Sequence, residues 1–95
     1  MTIPFRKLRE RWMTDAKFRK AYDRISPEME MAFAIAEARH RAKLSQQQLA
    51  KRLGTSQATV ARWESGAQLP STRTLTKLAE ATGSRLRVEL LPTRN

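Results

Sequence analysis

"LSQQQLAKRLGTSQATVARWESG", Leu44–Gly66, sets two short helical patterns almost end to end. Ser45 is a natural N-cap for "QQQLAKRL", where Leu49, Ala50 and Leu53 fall on one face. Gly54 ends that segment, since a helix terminus commonly needs a left-handed residue and glycine adopts that conformation without a Cβ clash. Thr55 or Ser56 opens the next helix, "QATVARWES", and Gly66 closes it. Val60 and Trp63, three apart, share a face, so Trp63 is expected in the core and not on the surface.

The same signals extend outward. Pro70 blocks helix continuation in "AQLPS", and Ser71 or Thr72 caps a further helix carrying Leu75, Leu78 and Ala79 to about Thr82, stopped by Gly83. Upstream, Ser26-Pro27-Glu28 combines a cap, a proline at the first helical position and a carboxylate in the first turn, which predicts a helix from 27 to about 42 with Phe33 and Ile35 as its bulkiest apolar members. Before it, "TDAKFRKAYDRI" predicts a short amphipathic helix over about 15–24, with Phe18, Tyr22 and Ile25 on one face, while Leu8 and Trp12 lie four apart. After Gly83 the period changes to two. Leu86, Val88 and Leu90 alternate with Arg85, Arg87 and Glu89 until Pro92, the pattern of a strand. A lone strand leaves its backbone groups unpaired, so it is expected to pair with its counterpart in a second copy. Leu86, Val88 and Leu90 would then face the helices of a two-fold dimer. Three parts result: a basic helical arm (1–26), a helical domain (27–83), and a strand with its tail (84–95).

The chain has 95 residues, 19 Lys and Arg against 9 Asp and Glu, and a net charge of +10. Such a field attracts polyanions, nucleic acid first and an anionic membrane surface second. The arm is the most basic part, with 8 basic and 3 acidic side chains in residues 1–26. There is no cysteine, which excludes disulfides and thiol chemistry and suits a reducing cytoplasm. No apolar run approaches the roughly 18 residues of a membrane span. Paired carboxylates, a nucleophile–base set and a glycine-rich phosphate loop are all lacking, and His40 stands alone without ligand-spaced partners. An enzyme, a metal site and a cofactor are therefore not expected.

Two helices of about eight to ten residues joined by a glycine turn make a helix-turn-helix, whose second helix enters the DNA major groove while the first crosses the backbone. A groove-entering helix needs small polar side chains at its N-terminal end, and Ser56, Gln57, Ala58, Thr59 and Arg62 meet that need. Gln57 can pair with an adenine edge, Arg62 can reach guanine or phosphate, and Ala58 or the Thr59 methyl can meet a thymine methyl. Gln46, in the first turn of the preceding helix, can hold a phosphate together with exposed backbone N–H groups. Lys43, Lys51 and Arg52 are expected phosphate partners.

Arg39–Gly83 resembles the lambda-repressor-like, Cro-type helix-turn-helix family known as XRE, through Arg39, Leu44, Ser45-Gln46, Leu49-Ala50, Gly54, Val60, Glu64, Gly66 and Pro70 at that family's spacings. The resemblance implies an all-α, lambda-repressor-like bundle, here with an N-terminal helical arm and a short C-terminal β-strand. It implies that the residues matching Gln46, Gln57, Ala58, Thr59 and Arg62 face DNA, and that Arg39 and Glu64 form an internal ion pair. The flanks "FRKAYDRI", "SPEMEMA" and "GSRLRVELLP" look like HigA-type antitoxins of type II toxin–antitoxin modules. That likeness implies a RelE/HigB-type toxin partner that cleaves messenger RNA, blocked by direct binding, and repression of the shared operon.

Such toxins are usually basic and this arm is basic too, so apolar contacts from Leu8, Trp12, Phe18 and Tyr22 are a better fit to a toxin than charge neutralisation. The same four residues would equally suit packing of the arm on its own domain. The expectation is a cytoplasmic, dimeric repressor on a palindromic operator, with recognition helices about 34 to 36 Å apart, serving as an antitoxin. A stand-alone phage-type repressor without a toxin is the alternative. A basic peptide that binds RNA or a membrane surface through its arm is the rival from another class.

Overall fold

Four helices carry the residues described by the computed structural model, 26–93: α1 (Pro27–Arg41), α2 (Gln46–Leu53), α3 (Gln57–Ser65) and α4 (Thr72–Ala81). A serine starts every one of them. The hydroxyl oxygens of Ser26, Ser45, Ser56 and Ser71 accept from the backbone N–H of Met29, Gln48, Thr59 and Thr74 at 3.0–3.2 Å. Each bond satisfies one donor that the helix itself leaves unpaired. Ser56 and Ser71 are thus the caps, not their threonine neighbours. At α2 the cap is reciprocal, because the Gln48 side chain also accepts from the Ser45 N–H at 2.8 Å.

The core lies where the helices meet. Ile35 comes from α1, Leu49 and Ala50 from α2, Val60 and Trp63 from α3, and Leu78 from α4. Leu49 and Val60 are fully buried, and each large apolar side chain removed from water contributes about 1.5–3 kcal/mol. Met31, Leu44, Leu53, Leu75 and Ala81 pack around this centre. α3 is clamped against both α1 and α2, and α4 leans on α2. Trp63 is buried as its spacing with Val60 required. The architecture is all-helical among the described residues, and none of its helices is long and apolar enough to cross a membrane.

The C-terminal strand is a correction. Residues 84–93 form no regular structure, and among the described residues no backbone–backbone hydrogen bond reaches 85–93. Leu86 is half-buried, but Val88 and Leu90 are 74% and 96% exposed instead of facing the helices. The physical reason is that a strand exists only through a neighbour that pairs with its N–H and C=O groups, and the described residues of a single chain supply none. Period-two alternation reports which side chains share a face, not whether a partner is present. The arm, with Leu8, Trp12, Phe18 and Tyr22 and the helix expected over about 15–24, lies outside the described residues.

Candidate nucleic-acid interface

α3 exposes one side and buries the other. Val60 and Trp63 point into the core, while Gln57, Ala58 and Arg62 are exposed and Thr59 is half-buried. The short turn Gly54–Ser56 holds this helix against α2, with Gly54 left-handed at φ +69° so that the chain reverses within three residues. Ser56 is exposed, but its hydroxyl is committed to the cap and to the Thr59 hydroxyl at 2.8 Å. Its first task is therefore to start α3. Gln57 and Ala58, the first two helical residues, are the ones left facing outward without a structural duty in the backbone.

Behind Gln57 runs a chain of hydrogen bonds into the protein. Gln57 Nε2 donates to Gln46 Oε1 at 2.6 Å, and Gln46 Nε2 donates to Glu64 Oε1 at 3.2 Å. Arg39 then grips the Glu64 carboxylate from two sides, Nε to Oε2 at 2.6 Å and Nη2 to Oε1 at 2.9 Å. Its remaining nitrogen, Nη1, donates to the Leu44 carbonyl at 2.9 Å. The two charged side chains are only 11% and 9% exposed. Such a pair is stable because a planar guanidinium and a carboxylate match bidentately and the leftover donor is satisfied. The expected ion pair is present, joining α1 to α3.

The charge at the inner end dictates direction at the outer end. An ionised carboxylate only accepts, so Gln46 must turn its NH2 toward Glu64 and its oxygen toward Gln57. Gln57 must in turn give one amide proton to Gln46. It keeps its carbonyl oxygen and its second amide proton, one acceptor and one donor, and that is the pattern complementary to the N6 and N7 edge of adenine. Gln46 is half-buried and spends its amide on this relay, so its side chain positions Gln57 in addition to any phosphate contact.

The basic residues divide. Lys43 and Lys51 are exposed. Lys43 has φ +59°, the left-handed position that ends α1, where the other helices have Gly54, Gly66 and Gly83. It stands two residues before the cap of α2, whose first N–H groups have no acceptor within the helix. Arg52 is exposed as well, but Nη1 donates to the Ala81 carbonyl at 3.0 Å and so caps the C-terminal end of α4. His40 lies beside Arg39, with Nε2 3.3 Å from Nη2. Among the described residues no group of three or more His, Cys, Asp or Glu side chains gathers as a metal site would.

Sequence patterns identified the outward residues of α3, but not the Gln57–Gln46 bond or the duty of Arg52. The signal for the first was available in the glutamines that stand at the first position of both helices, Gln46 in α2 and Gln57 in α3. Nothing local marks the second, because Arg52 and Ala81 are 29 residues apart.

A family model described as helix-turn-helix matches residues 35–88, which is more than half of the chain and contains every element of the relay. No curated protein matches the chain.

Proposed function

This chain belongs to the XRE-type helix-turn-helix family of DNA-binding transcription regulators, and on that premise we propose that it is a dimeric repressor which also acts as the antitoxin of a type II toxin–antitoxin pair. The observation that carries the DNA reading is the relay from Arg39 through Glu64 and Gln46 to Gln57, which fixes an exposed amide at the start of α3 in one orientation. α3 enters the major groove, Gln57 reads adenine, and Arg62 takes guanine or phosphate. Ala58 and the Thr59 methyl meet thymine methyls. Lys43 and Lys51 add phosphate contacts that supply salt-dependent affinity. The work is binding and not catalysis.

The remainder of the reading rests on the flanks. A two-fold dimer sets two copies of α3 on successive turns of a palindromic operator in the cytoplasm. Residues 1–26, with Leu8, Trp12, Phe18 and Tyr22, dock a RelE/HigB-type toxin through apolar contacts, in keeping with the likeness of "FRKAYDRI" and "SPEMEMA" to HigA-type antitoxins.

Co-expression with the product of the neighbouring gene tests both halves. The expected result is a complex that co-purifies and shifts the operator upstream of the two genes. Replacing Gln57 and Arg62 together with alanine should remove the sequence-specific shift and leave the partner bound. No co-purifying partner would reduce the protein to a repressor alone, and no specific shift from the unsubstituted chain would overturn the DNA reading.

A further inference from the structure

The C-terminal segment is an apolar surface that the four helices leave open. Val88, Leu90 and Leu91 are 74%, 96% and 73% exposed, and the backbone of 85–93 has no backbone partner among the described residues. The segment borders a groove of about 660 Å3 between α1 and α4, where Leu86 and Val88 stand with Met31, Ile35 and Leu75. Free backbone groups and apolar side chains in one short extended run are a template for another strand.

We propose that the occupant is the same segment of a second copy, paired antiparallel with Val88 opposite Val88 on the two-fold axis. This rests on the dimer proposed above and adds its register. Residues opposite each other in a sheet point to the same face, so a two-fold axis through the pair must pass through a residue and not between two. Few choices exist, and charge separates them. Centring on Arg87 sets Arg87 against Arg87, and centring on Glu89 sets Glu89 against Glu89. Like charges directly opposite are destabilising.

Centring on Val88 instead sets Arg87 against Glu89 of the second copy, and Glu89 against its Arg87. Leu86 meets Leu90 of the second copy, twice. In the single chain Arg87 and Glu89 are bonded to each other, so both already lie on one face as the pairing needs. Pro92, which has no N–H to donate, ends the ladder just beyond Leu91. The sequence "LRVEL", Leu86–Leu90, is therefore self-complementary about its middle residue.

The chain contains no cysteine, which makes single-cysteine cross-linking clean. Opposed residues in an antiparallel pair have Cα atoms about 4.5 to 5.5 Å apart, within disulfide range, whereas diagonal neighbours stand too far apart. The full chain carrying Val88→Cys should cross-link to a dimer under mild oxidation. Leu86→Cys and Leu90→Cys should each fail alone and cross-link when mixed. Arg87→Glu or Glu89→Arg should each weaken the dimer roughly tenfold by breaking two cross-strand pairs and creating two repulsions, and the two together should restore it. These side chains lie outside the helical core, so folding is not at stake. A dimer by sedimentation in which the Val88→Cys chains do not bridge, or the Leu86→Cys chains bridge alone, overturns the register and leaves the dimeric repressor standing. A monomer at all concentrations overturns the register and the dimer together, while operator half-site binding would still report on α3.

Discussion

Arg39 in α1 and Glu64 in α3 are 25 residues apart in sequence and joined by two hydrogen bonds of 2.6 and 2.9 Å, nearly out of reach of water. Removing one partner leaves the other as an uncompensated buried charge, which is more costly than the pair is worth. Glu64→Ala should destabilise the fold by about 3 kcal/mol. Urea unfolding followed by fluorescence, with Trp12→Phe in both proteins so that Trp63 is the single indole, measures this directly. A midpoint equal to that of the unsubstituted protein would show that the pair has no structural role.

The same carboxylate controls what the DNA-facing side chain can present. Gln46→Ala removes the oxygen that accepts the Gln57 amide proton and breaks the link to Glu64, so Gln57 loses its fixed orientation. The expected outcome is a loss of preference for adenine at one operator position, about tenfold to a hundredfold, with nonspecific affinity in low salt changed less. A binding series over the four bases at that position reads it. Retained adenine preference in Gln46→Ala would mean that Gln57 is oriented by the DNA and not by the protein.

What could be read from the sequence divides along physical lines. Serine caps, left-handed glycines and three-to-four spacing of Leu49, Leu53, Val60 and Trp63 are local signals, and they located all four described helices within a residue or two. The outward face of α3 followed from the inward one. Side-chain duties set by distant neighbours were not legible: Arg52 looked like any exposed cation, yet it closes the end of α4. The tail misled for a related reason. Alternation in "RLRVELL" is a property of one segment, whereas a strand is a property of two.

Lys43 allows stability and DNA affinity to be pulled apart. A side chain at φ +59° clashes with its own backbone at a cost of roughly 1–2 kcal/mol, part of which glycine would return as unfolded-state entropy. Lys43→Gly should therefore stabilise the fold by about 0.5–1 kcal/mol. It should also reduce the dependence of log K on log salt by about one unit for each phosphate that the lysine neutralises. Thermal unfolding and operator titrations at several salt concentrations give the two numbers. A more stable protein with an unchanged salt slope would exclude Lys43 from the DNA interface.

Gly66 ends α3 at φ +79°, and a Cβ built there would stand 3.0 Å from the Met29 sulfur in α1; Gly54, at φ +69°, has nothing within 4 Å. Both glycines answer the same backbone requirement, so alanine at either position should cost about 1 kcal/mol from conformation alone. Gly66→Ala should cost more, because Met29 must move where α1 and α3 pack. The excess belongs to one close approach, so it should vanish when Met29→Ala is already present, with Gly66→Ala then costing the same as Gly54→Ala. Equal costs for the two glycine substitutions in the unsubstituted background would show that Met29 yields freely and that its nearness to Gly66 has no energetic weight.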